Sequence, residues 1–184
     1  MDIKSVLIIK GSHRENGFTN RMCNEIAKVF SSCSVKIFDA CNERFSPCTG
    51  CNYCEKNGCC VFRDLDSFYE SFETADLIVF ASPVYNGSFS APIKALIDRF
   101  QVYYTGFYAN KKTQQIKKHR KAFFLAAAGR GGEKSFSYMK SQLECAFTIL
   151  NIELCGSVLC SHTDTQPDSY LRALEEIKRS FTDE

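Results

Sequence analysis

Short, uninterrupted apolar runs alternate with longer stretches of helical spacing along this chain, and that alternation constrains the fold more than any other feature. Ser5–Lys10 (SVLIIK), Val35–Phe38, Asp76–Ala81 (DLIVFA), Lys121–Ala128 (KAFFLAAA) and Ile152–Cys160 read as strands. A run that is apolar on consecutive residues suits a strand covered on both faces. Between them, Thr19–Ser31 spaces Met22, Ile26, Val29 and Phe30 at helical intervals. Asp64–Thr74, Ala91–Tyr103, Glu133–Leu150 and Ser169–Phe181 repeat the pattern. Regular βα alternation of this length predicts an α/β fold: a five-stranded parallel sheet with right-handed crossovers and helices on both faces. The strand order 2-1-3-4-5, that of a flavodoxin-like three-layer sandwich, fits this alternation. At 184 residues the chain is expected to be a single domain, residues 1–184, with a cysteine-rich loop at 46–62.

Composition narrows the class. A hydrophobic fraction of 45%, a charged fraction of 24% and a net charge of +2 are ordinary for a soluble globule and argue against nucleic acid as a partner. The first apolar run stops at Lys10, too soon for a secretory signal, and no stretch approaches a membrane span. The expectation is a cytoplasmic protein with no membrane partner. Eleven cysteines in a reducing compartment are then not a disulfide scaffold. Cys23, Cys145, Cys155 and Cys160 lie among apolar neighbours and read as small packed residues.

In a sheet of this order the ligand belongs at the carboxyl ends of the strands, where the order reverses. That directs attention to three loops. After the first strand comes GSHRENGFTN (11–20), leading into a helix. Its small residues, the hydroxyls of Ser12 and Thr19, the charge of Arg14 and the first helical N–H groups suit a phosphate. After the third strand, SPVYNGSFSAPIKALIDR (82–99) offers backbone polar groups beside Tyr85, suited to a flat heterocycle, although Asn86–Gly87 also suits a plain β-turn. After the fourth, AAGRGGEKS is glycine-rich and opens a helix.

Together GSHRxNGxTN, SPVYNGxxSAPIKxxIDR and AGRGGEK resemble the NAD(P)H-dependent FMN reductase family of flavodoxin-like proteins. PCTGCNYCEKNGCCVFRDLD resembles its iron–sulfur flavoprotein branch. The resemblance implies that Ser12, Arg14, Gly17, Phe18, Thr19 and Asn20 hold the phosphate end of FMN. It implies that Pro83, Val84, Tyr85, Asn86 and Gly87 line the isoalloxazine, and that Gly129, Arg130 and Gly131 close over its other edge. His13 stands where the family commonly has proline, and Lys94, Asp98 and Arg99 read as helix-anchoring or subunit-contact residues. The implied function is an FMN-dependent oxidoreductase passing electrons from NAD(P)H to a quinone, flavin or other acceptor, assembled as a homodimer or homotetramer. Chemistry resides on the flavin, so no catalytic acid–base pair is expected, and His119 and His162 read as solvated.

Residues 47–60 hold Cys48, Cys51, Cys54, Cys59 and Cys60. The C-x₂-C-x₂-C run followed by Cys60 suits a 4Fe-4S cluster, whereas zinc sites favour two distant C-x₂-C pairs. The resemblance assigns Cys60 rather than Cys59 as the fourth ligand of such a cluster. A metal-free cap beside the flavin and a reversible thiol switch fit the same residues. The alternative function is accordingly an iron–sulfur flavoprotein carrier relaying electrons between ferredoxin-like partners. A phosphorylated receiver domain is disfavoured, because Lys10–Gly11 stands where its acidic residues belong. The basic stretch 110–121 reads as a solvated connector, or else as a patch attracting an acidic partner or the 2′-phosphate of NADPH.

Overall fold

Each of the five apolar runs becomes a strand of one parallel sheet. The computed structural model describes residues 3–109, 116–166 and 168–182. The strands are β1 (Ser5–Lys10), β2 (Ser34–Asp39), β3 (Leu77–Pro83), β4 (Arg120–Ala127) and β5 (Ile152–Cys160), in the order β2-β1-β3-β4-β5. Every neighbouring pair is parallel. β3 is buried at all seven positions, which is why DLIVFA carries no polar alternation. β2, at one edge, is only partly buried.

Alternate side chains of each strand feed two cores, as the period of two requires. Leu7, Ile9, Ile78, Phe80, Ala122 and Phe124 face one layer, which contains α3 (Asp66–Thr74), α4 (Ala91–Arg99) and α6 (Glu133–Leu150). Val6, Ile8, Leu77, Val79, Phe123 and Leu125 face the other, formed by α1 (Phe18–Val29) and α7 (Ser169–Thr182). In the first layer Phe72 stacks on Phe100 with ring centroids 4.8 Å apart and on Phe68 at 5.5 Å.

Beyond shifts of one or two residues at element ends, the helices differ from expectation in two places. The stretch expected to run as one helix over Ala91–Tyr103 divides at Phe100, whose N–H bonds to Ile97 O (3.0 Å) three residues back, and continues as α5 (Gln101–Ala109). An i→i−3 bond tightens the turn and redirects the axis. Inside the cysteine segment lies α2 (Tyr53–Asn57), bracketed by Asn52 and Gly58 in the left-handed region. One turn is too short to show a period in sequence.

The connector reading of 110–121 needs correction at its end. Residues 110–115 lie outside the described residues, but Lys118 pairs with Asp76 (2.6 Å) and Arg120 is fully buried. Arg120 Nη1 donates to Phe72 O (2.6 Å) and Nη2 to Leu150 O, so one guanidinium satisfies backbone carbonyls near the carboxyl ends of α3 and α6. Burial lowers its pKa to about 10. Cys23 and Cys160 are buried as expected, but Cys145 and Cys155 are exposed, on the outer side of α6 and on the edge strand β5.

Candidate functional site

The sheet order reverses between β1 and β3, and there the chain leaves a cavity of about 410 Å³. Just before the lining residue Ser12, Gly11 follows β1 directly. Its N–H bonds to Ala81 O (2.9 Å), its carbonyl accepts from Ser90 Oγ (2.7 Å), and a Cβ there would lie 2.8 Å from Ile93 Cδ1. Only glycine lets α4 press this close to the end of β1. Ser90 also receives support from β3, its N–H donating to Ser82 Oγ (3.0 Å). The first and third loops are thus stitched into one rim.

Ser12, Arg14, Gly17, Phe18 and Thr19 line one end of the cavity. Asn20 lies behind them: Nδ2 donates to Arg14 O (2.9 Å) and Ser12 O (3.3 Å), drawing the loop's carbonyls inward. No side chain caps α1, so its first N–H groups are left to a ligand, where the helix end favours an anion. Pro83, Val84 and Tyr85 form the facing wall, Val84 N–H being fixed to Ala127 O (2.8 Å). Asn86 (φ 50) and Gly87 (φ 79) make the tight turn, closed by Tyr85 N–H to Ser88 O (2.9 Å) and Ser88 N–H to Tyr85 O (3.0 Å). These two residues shape the wall without lining it. Tyr85 is 42% exposed, with a ring face free to stack.

From the fourth strand, Ala127 and Gly129 reach the cavity, whereas Arg130 and Gly131 lie outside its lining. Five of the lining residues were not selected by the sequence reading: Ala127, Asn16, Arg21, Thr163 and Asp164. The last two belong to the loop after β5, and the same rule of strand carboxyl ends would have pointed there. His162 is not simply solvated. It accepts from Gly131 N–H at 3.4 Å through Nδ1 and lies 3.6 Å from Glu133, joining the loops after β4 and β5. His119 is exposed beside Asn151 and Glu153.

The cysteine segment forms a separate, smaller cavity. Cys48, Cys51, Cys54 and Cys60 all line it, with Arg99, and Cys59 does not. Arg99 is 2% exposed and clamps the segment, Nη1 donating to Ser46 O (2.7 Å) and Asp64 Oδ1 (2.8 Å), Nη2 to Phe62 O (3.0 Å). Burial alone would raise the Asp64 pKa, but Ser46 N–H and Arg99 outweigh it and leave it lowered. The cavity measures only about 30 Å³. Cys54 Sγ is directed at Thr105 Oγ1 (3.6 Å). Among the described residues no group of three or more His, Cys, Asp or Glu side chains is gathered as a metal ion requires. The expected four-thiolate ligand set therefore does not fit the loop as folded, because Arg99 holds both its ends closed.

Across residues 5–154 the sequence matches the family model for NADPH-dependent FMN reductases. The chain belongs to that family. This FMN reductase family member is 32% identical over 133 residues to an iron-sulfur flavoprotein of Methanocaldococcus jannaschii, covering 71% of the chain and 66% of that relative. The chain thus spans about two thirds of that relative's length. Among solved structures it is similar to an azoreductase from Bacillus anthracis (TM-score 0.69, 16% identity, 97% of this chain and 99% of that one). It is likewise similar to an NAD(P)H:quinone oxidoreductase from Methanothermobacter marburgensis (TM-score 0.71, 16% identity, 96% and 92%). At that identity the likeness shows the flavodoxin-like fold alone. Among the described residues no helix is long and apolar enough to cross a membrane.

Proposed function

We propose that this protein is an FMN-dependent oxidoreductase that takes electrons from NAD(P)H and delivers them to a quinone, flavin, azo or nitro acceptor. One observation carries the reading: a single cavity of about 410 Å³ at the switch point joins the uncapped amino end of α1 to the loops after β3 and β4. A mononucleotide asks for that pairing, an anion site at one end and a flat, backbone-lined wall at the other.

Ser12, Arg14, Gly17, Phe18 and Thr19 would hold the phosphate, with Asn20 keeping their loop in shape. Pro83, Val84 and Tyr85 would orient the ring system, Asn86 and Gly87 set the wall's turn, and Gly129 borders the far side, with Arg130 and Gly131 in the same loop. When bound, FMN supplies hydride and electron transfer, and the chain supplies orientation and hydrogen bonds. Cytoplasmic location and assembly as a homodimer or homotetramer belong to the same proposal.

The test is direct. Purified protein takes up FMN with its characteristic absorbance, and then oxidises NAD(P)H in steady state when a quinone is present. Losing a charge-assisted bond in Arg14→Ala weakens FMN by about tenfold or more, while riboflavin, which lacks the phosphate, is held equally by both proteins. A protein that takes up no FMN overturns the assignment.

A second reading, an iron–sulfur flavoprotein carrier, draws on the presence of Cys48, Cys51, Cys54 and Cys60 in the lining of one cavity and on the name of the Methanocaldococcus jannaschii relative. It requires the loop to open from its present closure. Iron and acid-labile sulfide measured on an anaerobic preparation decide it, and flavin without iron or sulfide removes it. A carrier would also show almost no NAD(P)H oxidation with a quinone in the absence of its protein partner.

A further inference from the structure

Asp164 stands in the loop after β5, where hydrogen bonds to the loop after β4 hold its backbone. Asp164 N–H donates to Gly129 O (3.0 Å), and the preceding Thr163 binds Ala128 O through both N–H (3.1 Å) and hydroxyl (3.2 Å). The carboxyl group lies flat over Gly129: a Cβ there would come 2.8 Å from Asp164 Cγ and 2.9 Å from Oδ1. A side chain at residue 129 would therefore displace the Asp164 carboxylate. Among the described residues no ion pair includes Asp164 and no side chain donates to its carboxylate. The cations lining the same cavity, Arg14 and Arg21, belong to the first loop and to α1, and the Arg21 guanidinium sits over the Tyr170 ring at 4.0 Å. The cavity thus has a cationic end and one unpaired anion in its wall.

We propose that Asp164 is a redox-poising residue, whose unpaired charge disfavours reduced FMN relative to oxidised FMN and so keeps the bound cofactor a strong electron donor. The inference rests on the FMN reading above. Two-electron reduction adds electron density to the ring system, and near neutral pH the fully reduced ring carries net negative charge while the oxidised ring is neutral. An exposed carboxylate at the cavity wall repels the reduced form more than the oxidised one, and such differential interaction is what shifts a reduction equilibrium. Arg14 and Arg21 act in the opposite sense, but Arg14 belongs to the loop proposed to hold the phosphate and the Arg21 guanidinium is engaged with the Tyr170 ring.

The experiment is a midpoint-potential titration of the FMN-loaded full chain at neutral pH, followed by flavin absorbance. Asp164→Asn and Asp164→Ser should each raise the potential, by at least a tenfold gain in preference for reduced over oxidised FMN, about 30 mV for a two-electron couple. Asp168→Asn, which removes an equal charge from a position exposed like Asp164 but outside the cavity lining, should leave it unmoved. An unmoved or lowered potential in the Asp164 variants, or an equal rise in Asp168→Asn, overturns the inference while leaving the FMN site intact. Failure of the unsubstituted protein to take up FMN overturns the site and this inference together.

Discussion

Arg99 and Asp64 form an ion pair of 2.8 Å in which the guanidinium side chain is 1% exposed, and this pair closes the cysteine segment. The same guanidinium binds Ser46 O and Phe62 O, so it reaches both ends of a stretch that is otherwise held by little regular structure. Arg99→Lys keeps the charge but loses the fork that meets three acceptors at once. We expect a loss of about 1–3 kcal/mol in denaturant unfolding, from backbone acceptors left without a donor. The thiols of Cys48, Cys51, Cys54 and Cys60 should also react faster with a thiol reagent in the folded protein, a readout that distinguishes loop opening from general weakening.

Gly11→Ala tests the stitching of the first and third loops. The added methyl meets Ile93 and Ser90 on a helix that cannot retreat without breaking the Ser90 Oγ bond to Gly11 O (2.7 Å). Overpacking of this kind costs about 1–3 kcal/mol. FMN uptake should fall further than stability does, because the two walls of the cavity are forced apart; equal FMN affinity in the variant would contradict the role given to this contact.

Asp76 anchors the amino-terminal end of the sheet, accepting from Ser5 Oγ (2.8 Å), Ser5 N–H (2.9 Å) and Lys4 N–H (3.0 Å), and pairing with Lys118 (2.6 Å). Burial opposes its ionisation, yet Lys118, Ser5 and Lys4 together hold its carboxyl well below the usual carboxylate range. A lowered folded-state pKa means that the unfolded chain binds the proton more readily. The stabilisation is therefore complete above the unfolded value of about 4 and is lost as pH falls below it toward the folded value. Unfolding curves measured from neutral pH downward should show this loss in the parent protein and a flatter profile in Asp76→Asn.

Arg120→Ala removes the donor that meets Phe72 O and Leu150 O and leaves both carbonyls buried beside a cavity. An unsatisfied buried acceptor costs about 1–3 kcal/mol, and relief from burying the cation offsets part of the sum. The expected net loss is about 3 kcal/mol, measured as a lower denaturant midpoint with an unchanged slope. A neutral result would show that the buried charge is tolerated rather than needed.

The sequence by itself determined the five strands and most of the cavity, down to Ser12, Arg14, Thr19, Pro83, Val84, Tyr85 and Gly129, and was compatible with the strand order that the sheet adopts. Those features follow from local apolar periodicity and from the rule that parallel sheets open at their strand ends, and both can be read one segment at a time. Only the tertiary structure decided that Asp164 enters the cavity, that Arg99 seals the cysteine segment and that Arg120 is buried. Each of those outcomes depends on which carbonyls, carboxylates and loop backbones from distant parts of the chain arrive beside one polar group. A charged residue in a string of letters looks solvated until its partners, 30 or more positions away for Arg99–Asp64 and Arg120–Phe72, converge to replace the water.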